Sequence, residues 1–274
     1  MLTCSLTASA KTLALIEGGG DMQSAFHHLT WKEAQAALGA GAVMILPVGS
    51  TEAHGPHLPL ATDVIISEEM SRRAAARLQA RGISAFVLPP IAYSVTDFSA
   101  DFAGTISIRH ETATALIRDI CVSLYKQGAR LVAVANSHLE PDHVASIHEA
   151  IAQVKRETGR DVAFPDKRRR RWAAHLTEEF RRGDCHAGSY ETSLVLAARA
   201  ELVREAVRRQ LERVPISIAE KIRDGARTFN EAGGGEAYFG SPAEATPEEG
   251  EASYAALAGM LVTAVTEALE EANP

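Results

Sequence analysis

The sequence predicts an α/β protein built on a mostly parallel sheet covered by helices on both faces. Three observations carry this. Short uncharged apolar runs (AVMILPV at 42–48, SAFVLPP at 84–90, LVAVAN at 131–136) are separated by longer segments of helical period, the alternation of βαβ units rather than of hairpins. The runs read as continuously apolar, as strands do when both faces of a parallel sheet are buried. Gly82 and Gly128 stand between a helical segment and the next apolar run, where a left-handed residue ends a helix.

Taken in order, Thr30-Trp31-Lys32-Glu33 has the form of a capping box ahead of AQAAL, which predicts a helix from about residue 31. The first strand, 42–48, opens into a Gly/Ser/Pro-rich loop that holds Glu52, His54 and Asp63. An amphipathic helix follows over 64–82, then a second strand stopped by Pro89 and Pro90. Residues 91–107 are irregular and rich in Ser, Thr, Asp and Gly, the composition of a pocket wall. A helix over 110–127, the strand 131–136, a helix over 142–157 and a short strand DVAFP come next. The basic run KRRRRW leads into a polar helix reaching about Arg182, and GDCHAGSYETS runs into an apolar helix. Between Pro215 and Pro247 the pattern is weak, with a turn at the 233–235 glycines, and the chain closes on a helix whose first turn is acidic.

The totals bound the function. With 274 residues, 46% apolar and 23% charged, the chain is long for one domain and short for two, and nothing reads as an interdomain linker. We expect a single domain over 28–274 behind a loose tail over 1–27, in which Met22 is an alternative start. A net charge of −7 argues against a nucleic-acid partner, whose footprint would be basic. Cys4, Cys121 and Cys185 are widely spaced and odd in number, so neither a disulfide framework nor a thiolate zinc knuckle is expected, and a reduced cytoplasmic location is the simplest reading. No apolar stretch approaches membrane-spanning length, and the N-terminus lacks a basic n-region.

Two strands each deliver a carboxylate and a histidine two residues apart: Glu52 and His54 after the first, His138 and Glu140 after LVAVAN. In extended backbone, residues i and i+2 point the same way, so each pair can face one metal cluster. Asp63 supplies a carboxylate able to bridge. Five such ligands exceed what one catalytic zinc takes, and two divalent ions (Zn, Mn or Fe) polarising a carbonyl and a shared water fit better. Either pair alone is equally what a solvated loop at a strand end carries.

The motifs VGSTEAHGPHLPLATD, NSHLEP and DCHAGSYETS, in that order, resemble the creatininase (creatinine amidohydrolase) family from about Leu29 to the last helix. The resemblance implies a three-layer α/β/α sandwich, a binuclear metal centre, hydrolysis of an amide C–N bond and a homo-oligomer, often a hexamer. By motif position Glu52 and His138 would bind one ion, His54 and Glu140 the other, with Asp63 bridging. Glu140 matches the carboxylate of the family's NGHxEN form, and Glu191 is the substitute ligand where that carboxylate is missing. His186, in the Gly-flanked loop, is the candidate acid/base; the bland alternatives are a histidine that caps the 190s helix and, for Glu191, a first-turn carboxylate. Ser94, Thr96, Asn136 and Leu139 are the expected substrate contacts.

Departures bear on the substrate. Pro165 and Arg182 stand where creatininase walls its ring with tryptophans, Trp172 is out of register, Asn-Gly has become Asn136-Ser137, and Pro141 and Asp142 replace the usual Asn. The expected activity is therefore on a small cyclic amide or formamide other than creatinine. The alternatives are a peptidase trimming a precursor peptide, of the mycofactocin-maturation kind, and a metal-poor binding protein of the same fold. Lys167 to Arg171 form either a solvated helix face or a pocket mouth that attracts a substrate anion. A thiol-nucleophile role for Cys185 lacks any supporting pattern.

Overall fold

The computed structural model describes residues 24–271. The tail before Ser24, with Cys4 and the alternative start at Met22, lies outside the described residues. From Ser24 the chain lies along the sheet edge, with Val87 N–H donating to Ser24 O at 2.7 Å and Phe26 packed edge-on to Phe86.

Helix α1 (Trp31–Gly39) starts on the capping box: Thr30 and Glu33 exchange side-chain and backbone bonds. Strand β1 (Val43–Val48), helix α2 (Thr62–Gln79), strand β2 (Ala85–Val87), helix α3 (His110–Lys126), strand β3 (Leu131–Asn136), helix α4 (Pro141–Thr158) and strand β4 (Val162–Ala163) follow. Pro141 occupies the first helical positions of α4, where its missing N–H costs nothing, and Gly159 ends that helix at φ 71°. Where one polar helix was expected before Arg182, two short ones form, α5 (Arg170–Ala173) and α6 (Glu178–Arg182). Helix α7 (Ser189–Arg199) carries the ETS element, and the weakly patterned stretch holds α8 (Glu205–Arg208), α9 (Ile218–Arg223) and α10 (Phe229–Ala232) before the long α11 (Pro247–Glu271).

The strands form one sheet of order β2-β1-β3-β4, parallel throughout, with Val43 opposite Leu131 and Val48 opposite Asn136. Alternation divides the buried strand residues between two cores. Val43, Ile45, Ala133 and Ala135 face α2, α7 and α11, while Met44, Leu46, Val132 and Val134 face α3 and α4. Helices on both faces make the three layers. Because β1 leads outward to β2 and β3 leads outward to β4, the carboxyl ends of the two central strands bound the crevice at which open α/β sheets bind ligands.

One expectation needs correcting. Helix α11 is long and apolar enough to cross a membrane by length and composition, with a mean hydropathy of 1.4 over its most apolar window, half of which is buried. Its apolar face, including Leu257, Leu261 and Val265, lies in the core shared with α2 and α7, which is how the core helix of a folded domain passes the same test.

Candidate metal centre

The loop after β1 turns Glu52 and His54 over the crevice, and the first turn of α2 brings Asp63 against them. Asp63 therefore sits in a helix rather than in the loop expected for it. Gly49 permits this approach: a Cβ there would lie 2.7 Å from the Asp63 backbone. His138 reaches in from the end of β3, and Glu191 from the first turn of α7.

Four of these residues are at most 5% exposed, and Asp63 is equally buried. His138 Nδ1 stands 3.1 Å from Glu52 Oε1 and 3.3 Å from Asp63 Oδ2. His54 Nε2 stands 3.8 Å from Asp63 Oδ1 and 3.5 Å from Glu191 Oε2. Asp63 thus belongs to two sets of potential ligands, one with Glu52 and His138, the other with His54 and Glu191.

The donor set suits divalent ions. His54 Nδ1–H donates to the Glu52 carbonyl at 3.2 Å, and His138 Nε2–H to the Val95 carbonyl at 2.8 Å. Each carbonyl fixes a tautomer and leaves the opposite ring nitrogen as a lone pair facing carboxylates, the arrangement that orients metal-binding imidazoles. His54 Nε2 and Asp63 Oδ2 are buried without any hydrogen bond, a state that buried polar atoms avoid unless something else fills their valence.

Without ions, protons are drawn into the cluster. Burial would lift the Glu52 carboxyl more than any one neighbour lowers it, but the charge and hydrogen bond of His138, together with the His186 and His54 charges, hold Glu52 well below its ordinary range. Burial would depress His54 and His138, yet the surrounding carboxylates raise both. Burial pushes Glu191 up to about 7. Cation binding would displace these protons.

Not every expected residue joins the cluster. Glu140 turns away: its carboxylate accepts Asp97 N–H at 3.0 Å and Phe98 N–H at 3.2 Å, and Glu191 stands beside His54 in its place. The reason is local, because β3 has ended and Glu140 caps α4, so the i, i+2 rule of a strand no longer applies. Thr96 and Ser99 both donate to Glu52 Oε2, so Thr96 supports a ligand instead of facing the cavity. Asn136 likewise braces the turn, donating to His138 O and accepting from His138 N and His143 Nε2. Ser94 is buried, bridged to Ser107, and does not line the cavity. Of the four expected substrate contacts, only Leu139 lines the cavity of about 720 Å³ that opens on the cluster.

His186 does line it. Its ring lies 4.4 Å from that of His54 and 4.3 Å from Phe229, and Nε2–H donates to Ala53 O at 3.0 Å. Burial and the neighbouring His54 draw its pKa down to about 4. The next residue, Ala187, holds a left-handed φ of 51°, and its N–H is gripped by Glu191 at 2.7 Å, so the same carboxylate secures the loop's strained turn. Cys185 is buried and its thiol is pushed well up, which leaves no thiolate for nucleophilic work.

Residues 27–265 match the family described as creatinine amidohydrolase. The chain belongs to the creatininase family. It is 34% identical over 221 residues, 78% of this chain and 80% of the relative, to the mycofactocin precursor peptide peptidase of Mycobacterium tuberculosis. A crystal structure of creatinine amidohydrolase superposes with a TM-score of 0.72 at 25% identity, covering 90% of this chain and 97% of that one. A manganese creatininase gives 0.67 at 26%, covering 90% and 98%. The chain is thus a hydrolase of the creatininase family, with that family's parallel sheet between helices. Several elements of its site had no legible signature: the Val95 and Ala53 carbonyls are backbone groups, Ser99 lies in an unpatterned loop, and Phe229 comes from the weakly patterned stretch.

Proposed function

We propose that this protein hydrolyses an amide C–N bond with two divalent ions, Zn, Mn or Fe. Glu52, His138 and Asp63 would hold one ion and His54, Asp63 and Glu191 the other. The observation that carries this reading is the convergence of two buried sets of potential ligands on Asp63, with His54 Nε2 and Asp63 Oδ2 buried without a hydrogen bond. When bound, the ions would polarise the amide carbonyl and acidify a water.

The chain's own residues supply the rest. Thr96 and Ser99 hold Glu52, and Val95 holds His138, so the ligands are placed before substrate arrives. His186 is neutral near pH 7, and with Nε2–H tied to Ala53 O its Nδ1 is the atom left to take up a proton. We assign it the transfer of that proton to the departing nitrogen. Leu139, Phe180 and Phe229 give the cavity apolar walls that exclude water.

For the substrate, a small cyclic amide or formamide is the first reading and a peptide the second. The second is favoured by a cavity of about 720 Å³ that runs from the candidate metal ligands to α9, more than a small ring fills, and by the relative named as a precursor-peptide peptidase. Arg182 lines that cavity and Trp172 is buried in the hydrophobic core rather than on the cavity wall, which counts against creatinine. Assembly as a homo-oligomer, hexameric by resemblance, is part of the proposal and sedimentation would test it. The deciding experiment is elemental analysis of purified protein, followed by chelator-sensitive hydrolysis of lactams, hydantoins, formamides and short peptides. Protein that holds no stoichiometric metal would refute the proposal, and loaded protein inert on every class would point to the binding-protein alternative.

A further inference from the structure

Lys167 is 5% exposed and lines the cavity beside the metal cluster. Among the described residues its ammonium has no hydrogen bond and no ion pair; it lies over the Phe180 ring, with Nζ 6.0 Å from the centroid. The carboxylate next to it in sequence is already engaged, since Asp166 accepts from Arg168 at 3.1 Å and from His148 at 3.0 Å. Glu191 and Asp63 act on Lys167 only through space.

A buried ammonium without a counter-ion is costly to keep. Balancing the acids of the site does not account for it. The carboxylates that would hold the ions, Glu52, Asp63 and Glu191, carry three negative charges against the four of two divalent cations, and Glu140 is engaged by the Asp97 and Phe98 amides, so the Lys167 charge is left over. The outer cavity repeats the sign: of the arginines that line it, Arg168, Arg182 and Arg223 pair with Asp166, Asp184 and Glu220, while Arg181 and Arg213 add to the positive side. In a chain of net charge −7, that clustering is local rather than compositional, and such a mouth draws in anions. Of the basic run, only Lys167 and Arg168 line the cavity; Arg169 and Arg170 are exposed, and Arg171 pairs with Glu267 on the outside.

We propose that Lys167 is the anchor for a carboxylate on the substrate, so that the amide cleaved here belongs to a molecule bearing a free carboxylate, an N-acylamino acid or the end of a short peptide. This rests on the amide-hydrolase reading and narrows it. A carboxylate suits the site better than a phosphate because one ammonium matches one negative charge, and a dianion would face the acids of the cluster.

The test uses the metal-bound protein as purified and isothermal titration with two probe pairs. N-acetylglycine against N-acetylglycinamide places the carboxylate on the nitrogen side of an amide; succinamate against succinamide places it on the acyl side. In wild-type protein at least one charged probe binds about tenfold or more tightly than its neutral partner, the discrimination a charge-assisted hydrogen bond supplies. Lys167→Met and Lys167→Gln abolish the difference, and Lys167→Arg restores much of it. Absence of any charge preference in the wild type, a comparison that needs no variant, overturns the proposal. So does a preference that survives in the neutral variants, because the carboxylate would then sit on the ions or the arginines. Metal content is read in the same samples. Loss of metal from the neutral variants would make Lys167 a support of the cluster and also overturn the anchor role, whereas metal absent from wild type would sink the hydrolase reading while the charge comparison still stands or falls by itself.

Discussion

Whether Glu191 or Glu140 completes the site of the second ion can be decided by two isosteric substitutions. Glu191 Oε2 lies 3.5 Å from His54 Nε2, and the same carboxylate accepts Ala187 N–H at 2.7 Å. Glu191→Gln keeps an oxygen for Ala187 but removes the charge at the ion. Loss of a group that merely orients a ligand costs tenfold to a hundredfold in affinity, so loss of a ligand charge should weaken the second ion by about a hundredfold or more, roughly 3 kcal/mol. Glu140→Gln behaves differently. Its two oxygens each accept a backbone N–H, from Asp97 and Phe98, and an amide NH₂ in place of either leaves donor facing donor. The result is about 1–2 kcal/mol of lost stability with both ions retained. Metal per chain, measured by mass spectrometry after dialysis against a metal buffer, and urea melts separate the two. Two ions in Glu191→Gln together with one in Glu140→Gln would refute this assignment and restore Glu140 as the ligand.

Asp63→Asn, which touches both ligand sets, should strip metal and turnover together while leaving the helical circular dichroism nearly unchanged; full metal content in that variant would end the bridging role. Asp166 gives a pH signature away from the site. Burial would raise it, but hydrogen bonds from Arg168 and His148 hold it at about 2 against an ordinary 3.8. A depressed carboxyl adds stability that is present above the unfolded value and lost as pH falls toward the folded one, here about 2 kcal/mol vanishing between roughly pH 4 and pH 2. Asp166→Asn should therefore flatten the acid limb of a urea-stability profile, and an unchanged limb would contradict the assignment. At Gly250 on α11 an added Cβ would stand 1.9 Å from the Ser193 carbonyl of α7. Gly250→Ala should force the two helices apart, costing about 2–3 kcal/mol and roughly 5–10 °C in Tm; an unaltered melt would show that they have room to spare.

Much of this was legible because it lay in side-chain type and order. Uncharged runs spaced by helices specify a parallel sheet, and carboxylate–histidine pairs at the ends of two such runs specify where chemistry gathers. What stayed hidden lay in backbone direction. Glu52 and His54 both reach the cluster, but the same spacing failed at His138 and Glu140, since two residues past a strand end the chain is already turning into α4. Thr96 was visible as a polar residue in a loop, but its role depends on that loop folding back so that Val95, Thr96 and Ser99 grip His138 and Glu52. Lys167 was hidden inside a run of five basic residues, four of them exposed, and composition alone cannot single out the one that points inward.

The sheet order explains why two distant loops must meet. β1 and β3 are neighbours with Val48 opposite Asn136, so the residues just past them emerge side by side however long the intervening chain. Ser137 fastens the junction: its N–H donates to Val48 O at 3.0 Å and its hydroxyl to Asp63 O at 2.6 Å. One residue thereby ties the end of β1, the first turn of α2 and the backbone that presents His138. A glycine, the usual residue there by resemblance, has no hydroxyl to make the second bond. The departure from Asn-Gly to Asn136-Ser137 therefore strengthens the frame around the cluster without touching a ligand, whereas the departure at Arg182 falls on the cavity wall, where Lys167 also lies. The frame that would hold the ions and the wall that would choose the substrate are physically separate layers, so the wall can change while the ligand frame stays fixed.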